Sequence, residues 1–339
     1  MIEWGRMRPM SSCEQDLSEG GLGQIQLQNR DLRVSILPAA GGKISALTDL
    51  GSGRNWLWSN PYIPFSRGQY DVDYGRFLDS GGWDEILLSM SPADIRQPGG
   101  ANCRIPDHGD LVGQVWTVTR AIVEPNGDAV CELSVQGRAR KYRLKRSIRL
   151  RGTSACIEIG YSLTNQDDCR WPWYWCAHAL LNVTPNMHIA LPAGQDFRME
   201  RVGTGINGVQ NAGRRWPTLD LGEGRSLDLS RGFETGVAAD NFVAKLFVRS
   251  PETRSVKVVI PGTNESLVLR YAPETLPWLG LWINNSGWSG NGCKPYRNLG
   301  LEPATTPYDD VTEAMANDAV SWIEPGETRC WSLTVELRS

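Results

Sequence analysis

Apolar and polar positions alternate with a period of two through much of the chain. Ile157, Ile159, Tyr161 and Leu163 are apolar, with Glu158, Gly160, Ser162 and Thr164 between them. Trp331, Leu333, Val335 and Leu337 repeat the pattern, and Leu133 and Val135 do so more briefly. Successive side chains of a strand point to opposite faces, so each run predicts a strand with one face in a core and one in water. Turn chemistry falls between the runs: Pro125-Asn126-Gly127-Asp128 separates 114–123 from 129–136, and Asn-Gly is a strong hairpin signal. Gly51-Ser52-Gly53 and Pro98-Gly99-Gly100 punctuate in the same way. Only 309–318 has a helical pattern, and it is short. The prediction is an all-β chain: one large antiparallel β-sandwich over residues 23–339 with few short helices, preceded by a polar stretch over 1–22.

Charge and composition narrow the function classes. The chain carries 35 Lys+Arg against 38 Asp+Glu, a net of −3, so no nucleic-acid partner is expected. The densest basic segment holds Arg138, Arg140, Lys141, Arg143, Lys145 and Arg146. Its apolar residues Tyr142, Leu144, Ile148 and Leu150 share one parity, so most of these charges should form the wet face of a strand. No run approaches the roughly 18 apolar residues of a membrane helix, and no basic segment followed by an apolar core suggests a secretory signal. The 8 cysteines form no C-x-x-C pair. Scattered thiols without a signal point to a reducing cytoplasm, with Cys169 and Cys176 the one pair considered for a local disulfide. Composition leaves the oligomeric state open.

The chemistry concentrates in three segments. Only 3 histidines occur. His108 lies in Ile105-Pro106-Asp107-His108-Gly109-Asp110, a turn that should expose it to a cleft, or else a surface loop where Asp107 or Asp110 binds it. His178 ends the aromatic run Trp171-Pro172-Trp173-Tyr174-Trp175-Cys176-Ala177, as a cleft residue or as a core histidine held by a carbonyl. Glu302 sits in Leu299-Gly300-Leu301-Glu302-Pro303, either facing a cleft with a raised pKa or paired with an arginine such as Arg297. Two imidazoles and a carboxylate suffice to move protons to and from a neutral substrate. Among 14 tryptophans, most of which must be core, Trp83 with Asp84 and Glu85, and Trp278 and Trp282 with Asn284, combine flat apolar faces with hydroxyl partners. That mixture suits a sugar. Metal-ligand spacing, a phosphate loop and a G-x-S-x-G elbow are all missing, so no metal or cofactor is expected.

In these three segments the chain resembles the aldose 1-epimerase (galactose mutarotase-like) family. That family carries a His-Gly turn, a His-x-x-x-Asn motif on a strand and a Glu-Pro segment in this order. The counterparts are His108-Gly109, His178-Ala179-Leu180-Leu181-Asn182 and Glu302-Pro303. Val34-Ser35-Ile36-Leu37-Pro38 with Gly41-Gly42 matches its opening strand and turn, so the resemblance spans about residues 25 to 337. It implies a supersandwich with its site in a cleft on one sheet, where the α and β anomers of a free sugar interconvert. Carried over, Glu302 is the general base, His178 the general acid, and His108 polarises the substrate near the ring oxygen. Asp107 and Asp110 depart from the family's first motif. Asp240 and Arg76 are the nearest candidates for its sugar-binding aspartate and arginine. Alternatives are a hexose-phosphate 1-epimerase, with Arg76, Arg104 or Arg297 clamping the phosphate, and a carbohydrate-binding protein or sensor without turnover. A hydrolase would need a second carboxylate facing Glu302, drawn from Asp84, Glu85 or Asp110.

Overall fold

A computed structural model describes residues 11–16, 22–96, 102–203, 214–233, 241–290 and 294–338. The period-two runs form strands as expected. Cys156–Asn165 pairs with Tyr142–Leu150 on one side and Thr328–Arg338 on the other. Ile157, Ile159 and Leu163 are fully buried. Around Asn126-Gly127, Thr117–Val123 pairs with Ala129–Gln136 as a hairpin. Pro98-Gly99-Gly100 lies outside the described residues.

Two large sheets result. The ten-stranded one runs in spatial order Ser11–Asp16, Gln24–Asn29, Leu32–Leu37, Lys43–Asp49, Trp83–Leu87, Trp175–Leu181, Arg297–Ala304, Trp278–Asn285, Phe242–Arg249 and Phe197–Val202. The eight-stranded one runs His188–Ala190, Ser255–Val259, Ser266–Tyr271, Thr328–Arg338, Cys156–Asn165, Tyr142–Leu150, Ala129–Gln136 and Thr117–Val123. Part of the polar N-terminal stretch is therefore an edge strand, Ser11–Asp16, paired with Gln24–Asn29. Of the described residues only Val311–Ala316 and Tyr74–Phe77 are α-helical, capped by Asp310 and Asp73, whose carboxylates accept from the backbone N–H of Thr312 and Arg76. No helix among them is long and apolar enough to cross a membrane. Cys169 and Cys176 are both free thiols.

The core lies between the sheets. Trp175, Leu246, Leu281 and Leu301 meet Leu144, Ile159 and Leu333 there. Arg146 corrects the wet-face expectation: it shares the inward parity of Tyr142, Leu144, Ile148 and Leu150, and its side chain is fully buried. It crosses to Glu85 at 3.1 Å and also donates to the Gly42 carbonyl, while the Tyr161 hydroxyl donates to Glu85 at 2.8 Å. Glu85 is thus a strut between the sheets rather than a ligand residue. Burial raises its carboxyl to about 7, against the pull of Arg146 and Tyr161. Its neighbour Trp83, on the same face, is also core.

Candidate active site

Register places the catalytic candidates on the outer face of the ten-stranded sheet. His178 stands opposite Asp84, and Glu302 opposite Gly280. The pairing of Ala179 with Leu301 and Cys176 with Ala304 brings Glu302 beside His178. One row across the sheet therefore reads Asp84, His178, Glu302, Gly280, because cross-strand partners share a face. The glycines leave room for the glutamate. A Cβ at Gly300 would lie 2.7 Å from Glu302 Oε1, and one at Gly280 3.1 Å from Oε2.

His108 reaches the same cleft from a loop above the sheet. Its φ is +58° and that of Gly109 is +78°, so the turn uses left-handed backbone at both positions. Asp110 anchors the turn. Its buried carboxylate accepts from the Tyr70 hydroxyl at 2.5 Å, the Tyr142 hydroxyl at 2.7 Å, and the backbone N–H of Arg138 at 2.9 Å and Ala139 at 3.0 Å. Asp110 is therefore support for His108, not a substrate-facing carboxylate. Asp110→Asn should lower stability by about 1–3 kcal/mol, since the amide puts a donor among donors. A denaturant midpoint unchanged by the substitution would refute that role.

The three segments converge. His178 Nδ1 lies 3.1 Å from Glu302 Oε1, and the two imidazole centroids are 5.3 Å apart. His108 Nδ1 lies 3.0 Å from Asp107 Oδ1, and its ring stacks on Tyr74 at 3.5 Å. Tyr74 in turn donates its hydroxyl to Asp84 at 3.0 Å, and Lys43 donates to the same carboxylate at 2.5 Å. Asp84 thus serves as a prop beneath Tyr74.

Glu302 differs from a carboxylate with a raised pKa. It is 0% exposed, and its charged partners are Lys245 and His178 rather than Arg297. Oε2 holds a close ion pair with Lys245 Nζ, which also lies 3.6 Å from Asp309 Oδ1. Burial alone would raise the glutamate, but the charges and hydrogen bonds of Lys245 and His178 outweigh it and hold it at about 2. Burial likewise opposes the Lys245 charge, yet Asp309 and Glu302 raise its pKa above the ordinary value.

The remaining sequence candidates scatter. Trp282 lines the cleft, with Nε1 donating to Asn298 at 3.1 Å. Asn284 is buried behind it and accepts from the backbone N–H of Gly287 and Trp288, each at 3.1 Å, so it shapes the loop that brings Trp288 to the cleft. Trp278 shares the face of Trp282 but lies four strand positions, about 13 Å, away. It packs 4.1 Å from Arg249 in a separate depression. Arg76 follows Tyr74 by two helix positions, roughly 200° of rotation, and points away into a surface depression beside Tyr62 and Phe77. Arg104 pairs with Asp71 on the surface, and Arg297 donates to the Phe233 carbonyl. Asp240 lies outside the described residues.

Several cleft residues escaped the sequence reading: Tyr74, Asp79, Arg201, Lys245, Tyr296 and Asp309. Lys245 had a signal, as a lone cation in the apolar run Phe242-Val243-Ala244-Lys245-Leu246-Phe247. Asp79 had none. Burial raises its carboxyl against the pull of the Tyr296 hydroxyl, which donates to it at 2.8 Å. The cleft measures about 360 Å³, near the lower end of the roughly 300–1,000 Å³ typical of small-molecule sites. Among the described residues, no group of three or more His, Cys, Asp and Glu could hold a metal ion.

No protein-family profile and no curated protein sequence matches the chain. Solved structures do. A provisionally named aldose 1-epimerase from Klebsiella pneumoniae subsp. pneumoniae MGH 78578 aligns with a TM-score of 0.71 at 15% identity, covering 96% of this chain and 83% of that one. A galactose mutarotase-like protein from Clostridium acetobutylicum aligns with a TM-score of 0.63 at 14% identity, covering 96% and 98%. The Slr1438 protein from Synechocystis sp. PCC 6803 aligns with a TM-score of 0.62 at 18% identity, covering 100% and 99%. The chain has the galactose mutarotase-like β-sandwich fold.

Proposed function

We propose that the protein is an aldose 1-epimerase, opening and reclosing the ring of a free sugar by general acid–base catalysis. The observation that carries this reading is the meeting of His178, Glu302 and His108 in one ring-sized cleft. Ring opening needs one group to take the proton of the anomeric hydroxyl and another to protonate the ring oxygen. Each such transfer is worth about 10²–10⁴ in rate. A binding protein would need the cleft's aromatic walls but not two imidazoles each pinned to a carboxylate.

The lining favours a neutral sugar over a phosphorylated one. Asp73, Asp79, Asp107, Asp309 and Glu302 line the cleft against Lys245 and Arg201, and Lys245 is already paired. None of Arg76, Arg104 and Arg297 lines it. Exchange NMR on a panel of neutral aldoses and hexose phosphates tests the reading. Faster exchange than buffer for at least one neutral aldose is expected. The buffer rate with every sugar would sink it.

The walls should supply affinity. Trp282 and Trp288 meet edge to face at 6.3 Å, and the Arg201 guanidinium lies 5.3 Å from the Trp288 ring. Trp288→Ala should raise KM about 3–10-fold, the equivalent of roughly 0.5–1.5 kcal/mol of aromatic contact, with kcat nearly unchanged. A KM equal to wild type would remove Trp288 from the binding surface.

A further inference from the structure

Glu302 is poorly placed to exchange a proton with a substrate. Both of its oxygens are occupied, Oε1 by His178 and Oε2 by Lys245, and the residue is 0% exposed. To accept a substrate proton it would have to give up a buried ammonium, leaving Lys245 with only the more distant Asp309.

The imidazoles are placed differently. Each is held through Nδ1 by a carboxylate, His178 by Glu302 at 3.1 Å and His108 by Asp107 at 3.0 Å. An ionised carboxylate only accepts, so it keeps a proton on Nδ1 and leaves Nε2 for the cleft. Nε2 of neither ring has a hydrogen-bond partner among the described residues. Their centroids are 5.3 Å apart, and both rings line the cavity. Two groups at that spacing can each reach, over about 2.6–3.2 Å, one of two oxygens bonded to a single carbon.

We propose, resting on the epimerase reading, that the base and the acid are the two imidazoles, His108 and His178, and that Glu302 with Lys245 is a positioning pair behind His178. In ring opening, neutral His108 takes the anomeric hydroxyl proton on Nε2. The electrons of that O–H bond form the carbonyl as the bond from C1 to the ring oxygen breaks. The ring oxygen then takes the Nε2 proton of the His178 imidazolium. Rotation about C1–C2 and closure on the opposite face return both protons, so neither oxidant nor cofactor is consumed. Against the opposing effect of burial, His108 holds the Asp107 carboxyl below the ordinary range, and Lys245 with His178 does the same for Glu302. That places both carboxylates in the ionised state the arrangement needs.

The test uses wild type, His108→Asn and His108→Gly, assayed by exchange NMR on neutral aldoses. Asparagine and glycine both tolerate the φ of +58° at this position, so the turn should persist, and thermal melts check it. Each variant should lose at least about 100-fold in kcat with KM changed only a few-fold. Added imidazole should partly restore His108→Gly, where the ring has left a hole. Rescue by imidazoles of differing basicity should follow their basicity, as it must if the missing group was a base. Rescue independent of basicity, or variants within about fivefold of wild-type kcat, overturn the assignment while leaving the epimerase reading intact. No exchange by wild type with any sugar removes both.

Discussion

Glu302→Gln is expected to reduce kcat for anomer exchange by about 10²–10⁴, while KM moves little. The amide keeps the shape but can turn its NH₂ toward His178 Nδ1, which now lies 3.1 Å from a carboxylate oxygen. That would favour the wrong tautomer and withdraw the charge that steadies the imidazolium; a comparable change in a serine-protease triad costs about 10⁴. Combined with His108→Asn, the loss should be smaller than the product of the two single losses, because the groups act on one transition state. Exchange NMR on the single and double variants measures this. A Glu302→Gln enzyme within fivefold of wild type would remove the carboxylate from the mechanism.

Lys245→Met should have the largest effect on stability. Removing one member of a buried ion pair costs about 3–5 kcal/mol, because the other charge is left without its partner. Here Glu302 would keep only His178 and the weak Cys176 thiol donor at 3.9 Å. The pH dependence carries a second signature. In wild type the glutamate is depressed from its ordinary 4.5 to about 2. Its contribution to stability is therefore fully present above 4.5 and lost as pH falls toward 2. Without Lys245, burial dominates and pushes the carboxyl upward, so the variant should recover stability on mild acidification where wild type does not. Urea midpoints for both proteins at pH 7 and pH 5 test this through their difference, which cancels groups such as Glu85 that titrate in both. A difference below 1 kcal/mol and equal at the two pH values would contradict a buried pair.

The site was legible in unequal parts. His108, His178 and Glu302 were marked by their own segments: a Pro-Asp-His-Gly turn, an aromatic strand and a glutamate before proline. Asp84 and Glu85 were marked too, yet adjacent residues of a strand must face opposite ways. Glu85 therefore crosses the sandwich to Arg146, while Asp84 stays under Tyr74. Arg146 could have been read from its parity with Leu144 and Ile148. Sequence analysis read most charges of that segment as a wet strand face; an isolated charge in a core is costly, and partners 61 and 104 residues away, Glu85 and the Gly42 carbonyl, make this one tolerable.

Local periodicity and turn chemistry by themselves determined the strands, the hairpin at Asn126-Gly127 and the all-β class, because alternation and turn preference act between near neighbours. The order of strands in the sheet brings Trp175–Leu181 between Trp83–Leu87 and Arg297–Ala304. No local pattern contains that order. It sets which candidates share a face, and so it decided that Glu302 would meet His178 while Trp83 and Glu85 went to the core. The ionisation of Glu302 was decided by tertiary structure alone. Its carboxyl is governed by an ammonium 57 residues distant and an imidazole 124 residues distant, and Coulomb interactions depend on separation in space rather than along the chain.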